Sequence, residues 1–177
     1  MESKKKAIPG DLVQRSLAAF IQAGTLDLSL DHLALRVGVS KRMLVHYFGG
    51  REALEEQALT LLEDRLRQQF SPAAFPPGIS LEKVILALWQ QTTAAASRGV
   101  LLLVMDVSRR AWSGSPRARK FYKKQQRLWV ELLMRYLPDR TAVEEVLQLY
   151  QGAVLAYLIT GDARPGERAL KRIVASR

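Results

Sequence analysis

The chain has 177 residues, a formal net charge of +10 and no cysteine. The lack of cysteine excludes disulfide bonds, thiolate catalysis and cysteine-bound zinc, and no apolar run reaches the roughly 18 residues that span a bilayer. Because 48% of the residues are hydrophobic, the chain can form a core, as one compact unit or as a small domain joined to a larger one. The N-terminal sequence MESKKKAIPG has no hydrophobic signal core, which predicts a cytoplasmic protein with no membrane association.

The first elements in the chain are predicted to be three helices. The first, LVQRSLAAFIQAG, ends at Gly24. The second begins after Ser29, a suitable N-cap, and carries its apolar residues at helical spacing up to the tight turn Val37-Gly38-Val39. A glycine there adopts a left-handed backbone at little cost, so the helix is predicted to end at Gly38.

The third helix is predicted to begin with cations and end with apolar anchors. Ser40 caps it, and Lys41 and Arg42 fall in its first turn. Cations at a helix start oppose the helix dipole by roughly 0.3–1 kcal/mol each at low salt, a penalty that a nearby phosphate backbone reverses. With Leu44 and Phe48 facing inward, this layout predicts a helix-turn-helix whose second helix enters the DNA major groove. The alternative is a helical hairpin with a solvated charged face.

The rest of the chain is also predicted to be helical. A fourth helix covers 51–70, and the segment SPAAFPPG at 71–78 interrupts the chain because three prolines and a glycine cannot continue a helix. Further helices are predicted over 81–97, 100–112, 117–136, 141–160 (capped by Thr141) and 167–175.

Residues 11–62 resemble the N-terminal DNA-binding domain of the TetR family of bacterial transcriptional repressors. The resemblance rests on LA-x-x-VGVSK and HYF-x-x-REAL at the right spacing after a first helix. It implies an all-α protein with a three-helix DNA-binding head at 1–55 and a helical bundle for dimerisation and effector binding at 56–177. It also implies a repressor that binds a palindromic operator in double-stranded DNA as a homodimer and is released by a small-molecule effector.

The chain departs from the family at three positions of the third helix. Arg42 stands where a small residue is common, Met43 where Thr or Ser is common, and Val45 where Tyr is usual. Met43 and Val45 remove hydroxyls, whereas Arg42 adds a long cation. The loss of the hydroxyls leaves open an alternative, a helical regulator that acts through a protein partner with weakened DNA binding. The residues expected to contact DNA are Ser29, Ser40, Lys41, Arg42, Met43, Val45, His46, Tyr47 and Arg51.

The 141–160 helix carries a broad apolar band that includes Val143, Val146 and Val154, with small residues such as Gly152 and Ala153 beside it. The band is predicted to be a dimer face, since the last two long helices form the subunit interface in the resembling family. The alternative is an internal core helix. On the dimer hypothesis, Ala153→Arg is expected to dissociate the subunits.

An effector pocket is predicted in the body, with the three tryptophans near one cavity. Plain core is the alternative for each aromatic residue, and an ion pair with Asp106 is the alternative for Arg109. The basic cluster 117–127 either attracts an anionic effector or is a solvated helix end. The candidate wall residues are Trp89, Met105, Arg109, Trp112, Tyr122, Trp129 and Tyr150.

Catalysis has little support in the sequence. His32 and His46 are the only histidines, both within the helix-turn-helix, and no Gly-rich phosphate loop, metal-ligand spacing or nucleophile elbow occurs. We therefore expect neither an enzyme nor a cofactor or metal. The charge is unevenly distributed: residues 1–55 carry a net +2 and the remainder +8, so the global charge does not locate the DNA-binding face.

Overall fold

The computed structural model describes residues 9–69, 75–76 and 78–176. The basic N-terminal segment and most of the predicted break at 71–78 lie outside the described residues. All the regular elements in the described ranges are helical, which confirms the all-α prediction. The helices are α1 Pro9–Ala23, α2 Leu30–Val37, α3 Lys41–Phe48, α4 Arg51–Gln69, α5 Leu81–Thr93, α6 Arg98–Trp112, α7 Pro116–Leu133, α8 Arg140–Thr160 and α9 Arg164–Ala175.

Several predicted helix boundaries were wrong, and α7 ends at Leu133 instead of residue 136. Helix α5 ends at Thr93 because Ala94 has an extended backbone, and a 3-10 turn, Ala95–Ser97, leads into α6. Asp139, not Thr141, caps α8: its Oδ1 accepts the backbone N–H groups of Thr141 at 2.9 Å and Ala142 at 3.4 Å. Helix α9 begins three residues earlier than predicted, with a proline in its first turn.

Helices α2 and α3 form the predicted helix-turn-helix. Gly38 has a φ of 77°, and its N–H donates to the Ala34 carbonyl at 2.9 Å, which closes α2 in a left-handed cap. Leu33 and Val37 of α2 are buried together with Leu44 of α3 in a core that α1 shares. The pair is therefore held by apolar residues on its inner side, and its polar residues are left outside.

The core of the head is continuous with part of the body. Leu54 and Ala58 of α4 lie in the same buried cluster as the head residues. Leu103 and Val107 of α6, and Phe121 of α7, also belong to it. A second cluster joins α5, α8 and α9 with the end of α7. Helices α4, α6 and α7 therefore attach the head to the body through buried apolar contacts.

Helices α1 and α6 approach each other very closely at Gly99. A Cβ atom at this position would lie 2.5 Å from the Ile21 carbonyl oxygen and 3.0 Å from the Ile21 Cγ2. Such a contact is sterically forbidden, so only glycine allows the start of α6 to reach the end of α1. The contact fixes the body against the head at backbone level.

The predicted dimer band on α8 is instead part of the body core. Val143, Val146 and Val154 are buried in the second cluster, and Ala153 is only 9% exposed. The alternative of an internal core helix is therefore right for this band, and Ala153→Arg would test folding rather than assembly. The outward side of α8 carries small and apolar residues at helical spacing, namely Gly152, Leu155, Ala156 and Ile159.

Candidate nucleic-acid interface

Both helices of the motif begin with a serine cap. The Ser29 Oγ accepts the His32 N–H at 3.2 Å, and the Ser40 Oγ accepts the Met43 N–H at the same distance. Each cap satisfies a backbone donor that has no partner within its helix. Ser40 thus sets where α3 begins and which of its residues point outward.

The outer side of α3 carries a compact set of exposed side chains. Leu44 and Phe48 are buried, as predicted. Ser40, Arg42, Met43, His46 and Tyr47 line a shallow open recess on this surface. Lys41 and Val45 are also exposed, the valine by 41%. The recess mixes a cation, an imidazole and apolar groups, which suits contact with phosphates, base edges and thymine methyls.

The two cations of α3 differ in their surroundings. The Lys41 Nζ lies 2.9 Å from the Asp31 Oδ2, and both side chains are more than half exposed, so water screens this pair. Arg42 has no side-chain hydrogen bond or ion pair within the described part of the chain. Its guanidinium is therefore available to a phosphate or to a guanine edge. The rings of His46 and Tyr47 meet edge to face at 5.3 Å.

The structure does not place Arg51 in this interface, contrary to expectation. Its Nη2 donates to the Leu26 carbonyl at 2.7 Å, and its Nε pairs with the Glu55 carboxylate at 2.7 Å. The first turn of α4 faces the loop after α1, which supplies a carbonyl and the carboxylate of Asp27 at 3.6 Å. Arg51 is therefore occupied inside the protein.

Arg51 belongs to a cluster of charges between head and body, which we call the junction cluster: Asp27, Arg51, Glu55, Asp106, Arg109 and Arg110. Asp106 of α6 accepts the Leu26 N–H at 3.0 Å and the Thr25 hydroxyl at 3.1 Å, both from the loop after α1. Arg110 bridges Asp106 at 3.1 Å, Asp27 at 2.7 Å and Glu55 at 3.3 Å. One arginine thus ties α6 to the head loop and to α4.

The electrostatics of Asp106 follow from this setting. Burial acts to raise the pKa of its carboxyl group, but the hydrogen bonds from Leu26, Arg109 and Thr25 and the charge of Arg110 outweigh it. The pKa of Asp106 is therefore lower than its usual value of 3.8, and the carboxylate is ionised at neutral pH.

Sequence reasoning found only part of the junction cluster. It identified Asp106 and Arg109 as a possible ion pair, and the structure confirms that pair at 2.8 Å. It missed Arg110, Asp27 and Glu55. The available signal was that Asp106 precedes two arginines at the helical spacings of three and four, but nothing in the sequence indicates that Asp27 lies beside them.

The candidate effector residues do not converge on one place. Trp89 is 1% exposed and donates its indole N–H to the Ala163 carbonyl at 3.2 Å. Tyr150 meets it edge to face at 5.7 Å, and its hydroxyl lies 2.6 Å from the Thr92 hydroxyl. Burial raises the pKa of Tyr150 despite that hydrogen bond. Trp129 packs against the same core.

The other candidates lie elsewhere. Arg109 belongs to the junction cluster, and Tyr122 is 40% exposed with its hydroxyl 3.4 Å from Gln151. Met105 is half-buried on α6. The expectation that Trp112 faces a cavity was wrong, because its side chain is 88% exposed. It follows buried Val107 by five residues, which turns it about 140° away from the inward side of α6.

Two further features of the described residues bear on other classes of function. No helix among the described residues is both long and apolar enough to cross a membrane. In the same ranges, no three acidic or histidine side chains are grouped so that they could hold a metal ion.

Comparison with known proteins agrees with this geometry. Residues 12–58 match the family model described as bacterial regulatory proteins, tetR family. The HTH-type transcriptional regulator BetI of Pectobacterium carotovorum subsp. carotovorum (strain PC1) is 26% identical over 179 residues, covering 90% of this chain and 86% of that protein.

Solved structures share the fold along nearly the whole chain. A putative TetR-family transcriptional regulator from Rhodococcus sp. superposes with a TM-score of 0.75 at 16% identity, covering 95% of this chain and 97% of the other. Salmonella enterica GusR gives a TM-score of 0.71 at 15% identity, covering 98% and 96%. At these identities the structures show the fold alone. The family model on the head, the regulator that matches 90% of the chain and the exposed recognition helix lead to one conclusion: residues 12–58 form a DNA-binding domain of the tetR family, on a chain with the fold of TetR-family regulators.

Proposed function

We propose that the protein is a repressor that binds a palindromic operator as a homodimer and leaves it when a small molecule binds the body. The observation that carries the proposal is the junction cluster, because it joins the DNA-binding head directly to α6 through Asp106 and Arg110. The head comprises residues 1–55 and the effector and dimerisation domain residues 56–177. In this division, α4 crosses from one to the other.

The outward side of α8 supports the dimer. Leu155 is 51% and Ile159 76% exposed, and Gly152 has open space where a side chain would stand. Apolar side chains next to small residues allow two helices to approach closely, and a twofold axis would place the same surface of each subunit in contact. Two heads held in this way can read two half-sites about one DNA turn apart, roughly 34–36 Å.

The junction cluster supports coupling between an effector and DNA. A shift of α6 would move Asp106, which holds the loop before α2, and Arg110, which holds α4. Because these contacts are hydrogen-bonded ion pairs, a displacement of α6 that lengthens them weakens its hold on the loop and on α4. The coupling must be reciprocal, so operator DNA weakens effector binding by the factor by which the effector weakens DNA binding.

The first experiment tests assembly and DNA binding together. Sedimentation of the wild-type protein at micromolar concentration should give about twice the 19.9 kDa chain mass. Ile159→Arg should yield monomers that keep their helical content and lose affinity for a duplex from the protein's own promoter region. Arg140→Glu, an exposed change on the same helix, is the matched control and should leave the dimer intact. A wild-type monomer with full DNA affinity would contradict the dimer.

The second experiment separates the repressor from a regulator that acts through a protein partner. A reporter gene under the promoter should be silenced by the wild-type protein and released by Arg42→Ala, whose side chain is exposed on α3. Silencing that survives this change, together with loss of binding to the promoter duplex, would support the protein-partner alternative instead.

A further inference from the structure

The most basic part of the molecule has no role in the function described so far. Between Asp106 and Glu131 the chain contains eight arginines and lysines and no acid. Arg109 and Arg110 are engaged in the junction cluster, and the other six lie on α7. The exposed side of the first two turns of α7 therefore carries a strong positive charge.

This charge lies beside the DNA-binding head. The Arg117 Nη1 is 2.9 Å from the Glu52 Oε2, and Glu52 is the second residue of α4. Only Gly49 and Gly50 separate α4 from the end of the recognition helix α3. Farther along, Lys124 pairs with Glu63, so α7 and α4 run in the same direction with their starts side by side.

The cations around Arg117 differ in what they contact. Arg117 offsets the charge of Glu52, an acid that would otherwise repel DNA at the start of α4. Arg119 and Lys120 are exposed and have no side-chain hydrogen bond or ion pair within the described part of the chain. Two unpaired cations next to the head are available to phosphates without breaking any internal contact.

An exposed aromatic residue adjoins these cations. Trp112 is 88% exposed at the end of α6, and only the turn 113–115 separates it from α7. A solvated indole of this size costs hydrophobic free energy unless something covers it. Tryptophan beside arginine and lysine is a combination that suits the sugar-phosphate edge of a nucleic acid.

We infer that Trp112, Arg119 and Lys120 form a second DNA contact surface, outside the helix-turn-helix, that lies on the phosphate backbone flanking the sequence read by α3. Charge complementarity and continuity with the head identify DNA as the occupant. Since the contacts are to the backbone, this surface adds affinity to any sequence and no base preference. It extends the DNA-binding activity of the family to the body of this chain.

The salt dependence of DNA binding tests the surface. Arg119→Gln/Lys120→Gln should reduce the slope of log affinity against log salt by about two for each bound subunit, and lower affinity roughly tenfold at low salt. The loss should be the same for a promoter duplex and a random duplex of equal length. Lys83→Gln/Arg135→Gln is the matched control, because it removes the same charge from exposed positions on α5 and beyond the far end of α7.

The position of Trp112 gives an independent readout. Acrylamide quenches exposed indoles, and Trp112 is the most exposed of the three tryptophans, since Trp89 is buried and Trp129 half-buried. Binding of the random duplex should reduce quenching in the wild-type protein, and Trp112→Phe should abolish that protection. Unchanged salt slope in the Arg119/Lys120 variant, with quenching unaffected by DNA, would overturn the second surface while leaving the head intact. A wild-type protein that binds neither duplex would overturn DNA binding itself.

Discussion

Arg42 on the recognition helix and Arg110 at the junction show how differently two arginines serve one molecule. Arg110 is 20% exposed and bridges three carboxylates, whereas Arg42 is exposed and has no partner within the described residues. The first stabilises the protein and is unavailable to a ligand; the second adds little to stability and is available to DNA. The partners of a cation, rather than its presence, therefore indicate its function.

The largest expected effect is on the junction. Arg110→Ala leaves Asp106 and Glu55 partly buried without their shared cation, so the free energy of unfolding should fall by about 2–4 kcal/mol. Denaturant titration followed by circular dichroism measures the change. Arg42→Ala is the control and should remain within about 0.5 kcal/mol of the wild type. Equal losses in the two variants would remove the distinction between the two arginines.

The next effect concerns DNA affinity. Arg42→Ala should weaken binding to promoter and random duplexes alike and reduce the salt slope by about one for each bound subunit, because a cation in the first turn of α3 lies near the groove wall. Fluorescence anisotropy at several salt concentrations provides the measurement. If the loss is about 1–3 kcal/mol and confined to one base position, Arg42 reads a guanine edge instead.

Acid should weaken the junction cluster. Folding lowers the pKa of Asp106 from its usual value of 3.8, so the ionised carboxylate stabilises the native state at pH values above 3.8. This stabilisation is lost as the pH falls through the lowered pKa. The free energy of unfolding should therefore decrease below about pH 4. Asp106→Asn should be less stable at neutral pH and show a shallower decrease; an unchanged pH profile would contradict this role.

The smallest effect is expected at Tyr47, whose ring is half-buried against the head core. Tyr47→Phe keeps the ring and removes the hydroxyl, so stability should be unchanged and affinity for all duplexes should fall by about 1 kcal/mol or less if the hydroxyl meets a phosphate. Calorimetric titration of the wild type and of Tyr47→Phe against one duplex measures the difference in affinity. A change in base preference would indicate a base contact.

The head was predictable because its signals are local. Caps, a glycine turn and apolar spacing lie within the twenty residues of the helix-turn-helix, and each of them recurs in the structure at Ser29, Gly38 and Ser40. The inward positions Leu44 and Phe48 follow from the same periodicity. The contacts expected with DNA stay predictions, apart from Arg51, whose side chain is engaged inside the protein.

The body was less predictable because its contacts are not local. Periodicity shows that α8 has an apolar side, but not whether a neighbouring helix or a second subunit covers it, so the core residue Ala153 was mistaken for an interface residue. Likewise, the composition of α6 does not show which side faces the head, and Trp112 was placed inside. Asp106 reaches residues about eighty positions away in the chain, a pairing that only the fold reveals.

The close approach at Gly99 bears on the exchange of heads between related regulators. The start of α6 lies directly on the Ile21 carbonyl. In a chimera, the backbone of the transplanted head would therefore have to lie at the same distance from α6, because Gly99 has no side chain that could fill a gap or move to relieve a clash. It would also need acids in the places of Asp27 and Glu55 to receive Arg110. A working chimera should therefore exchange α1, the following loop and the first turn of α4 as one unit. The residues of α6 that contact this unit should be exchanged with it.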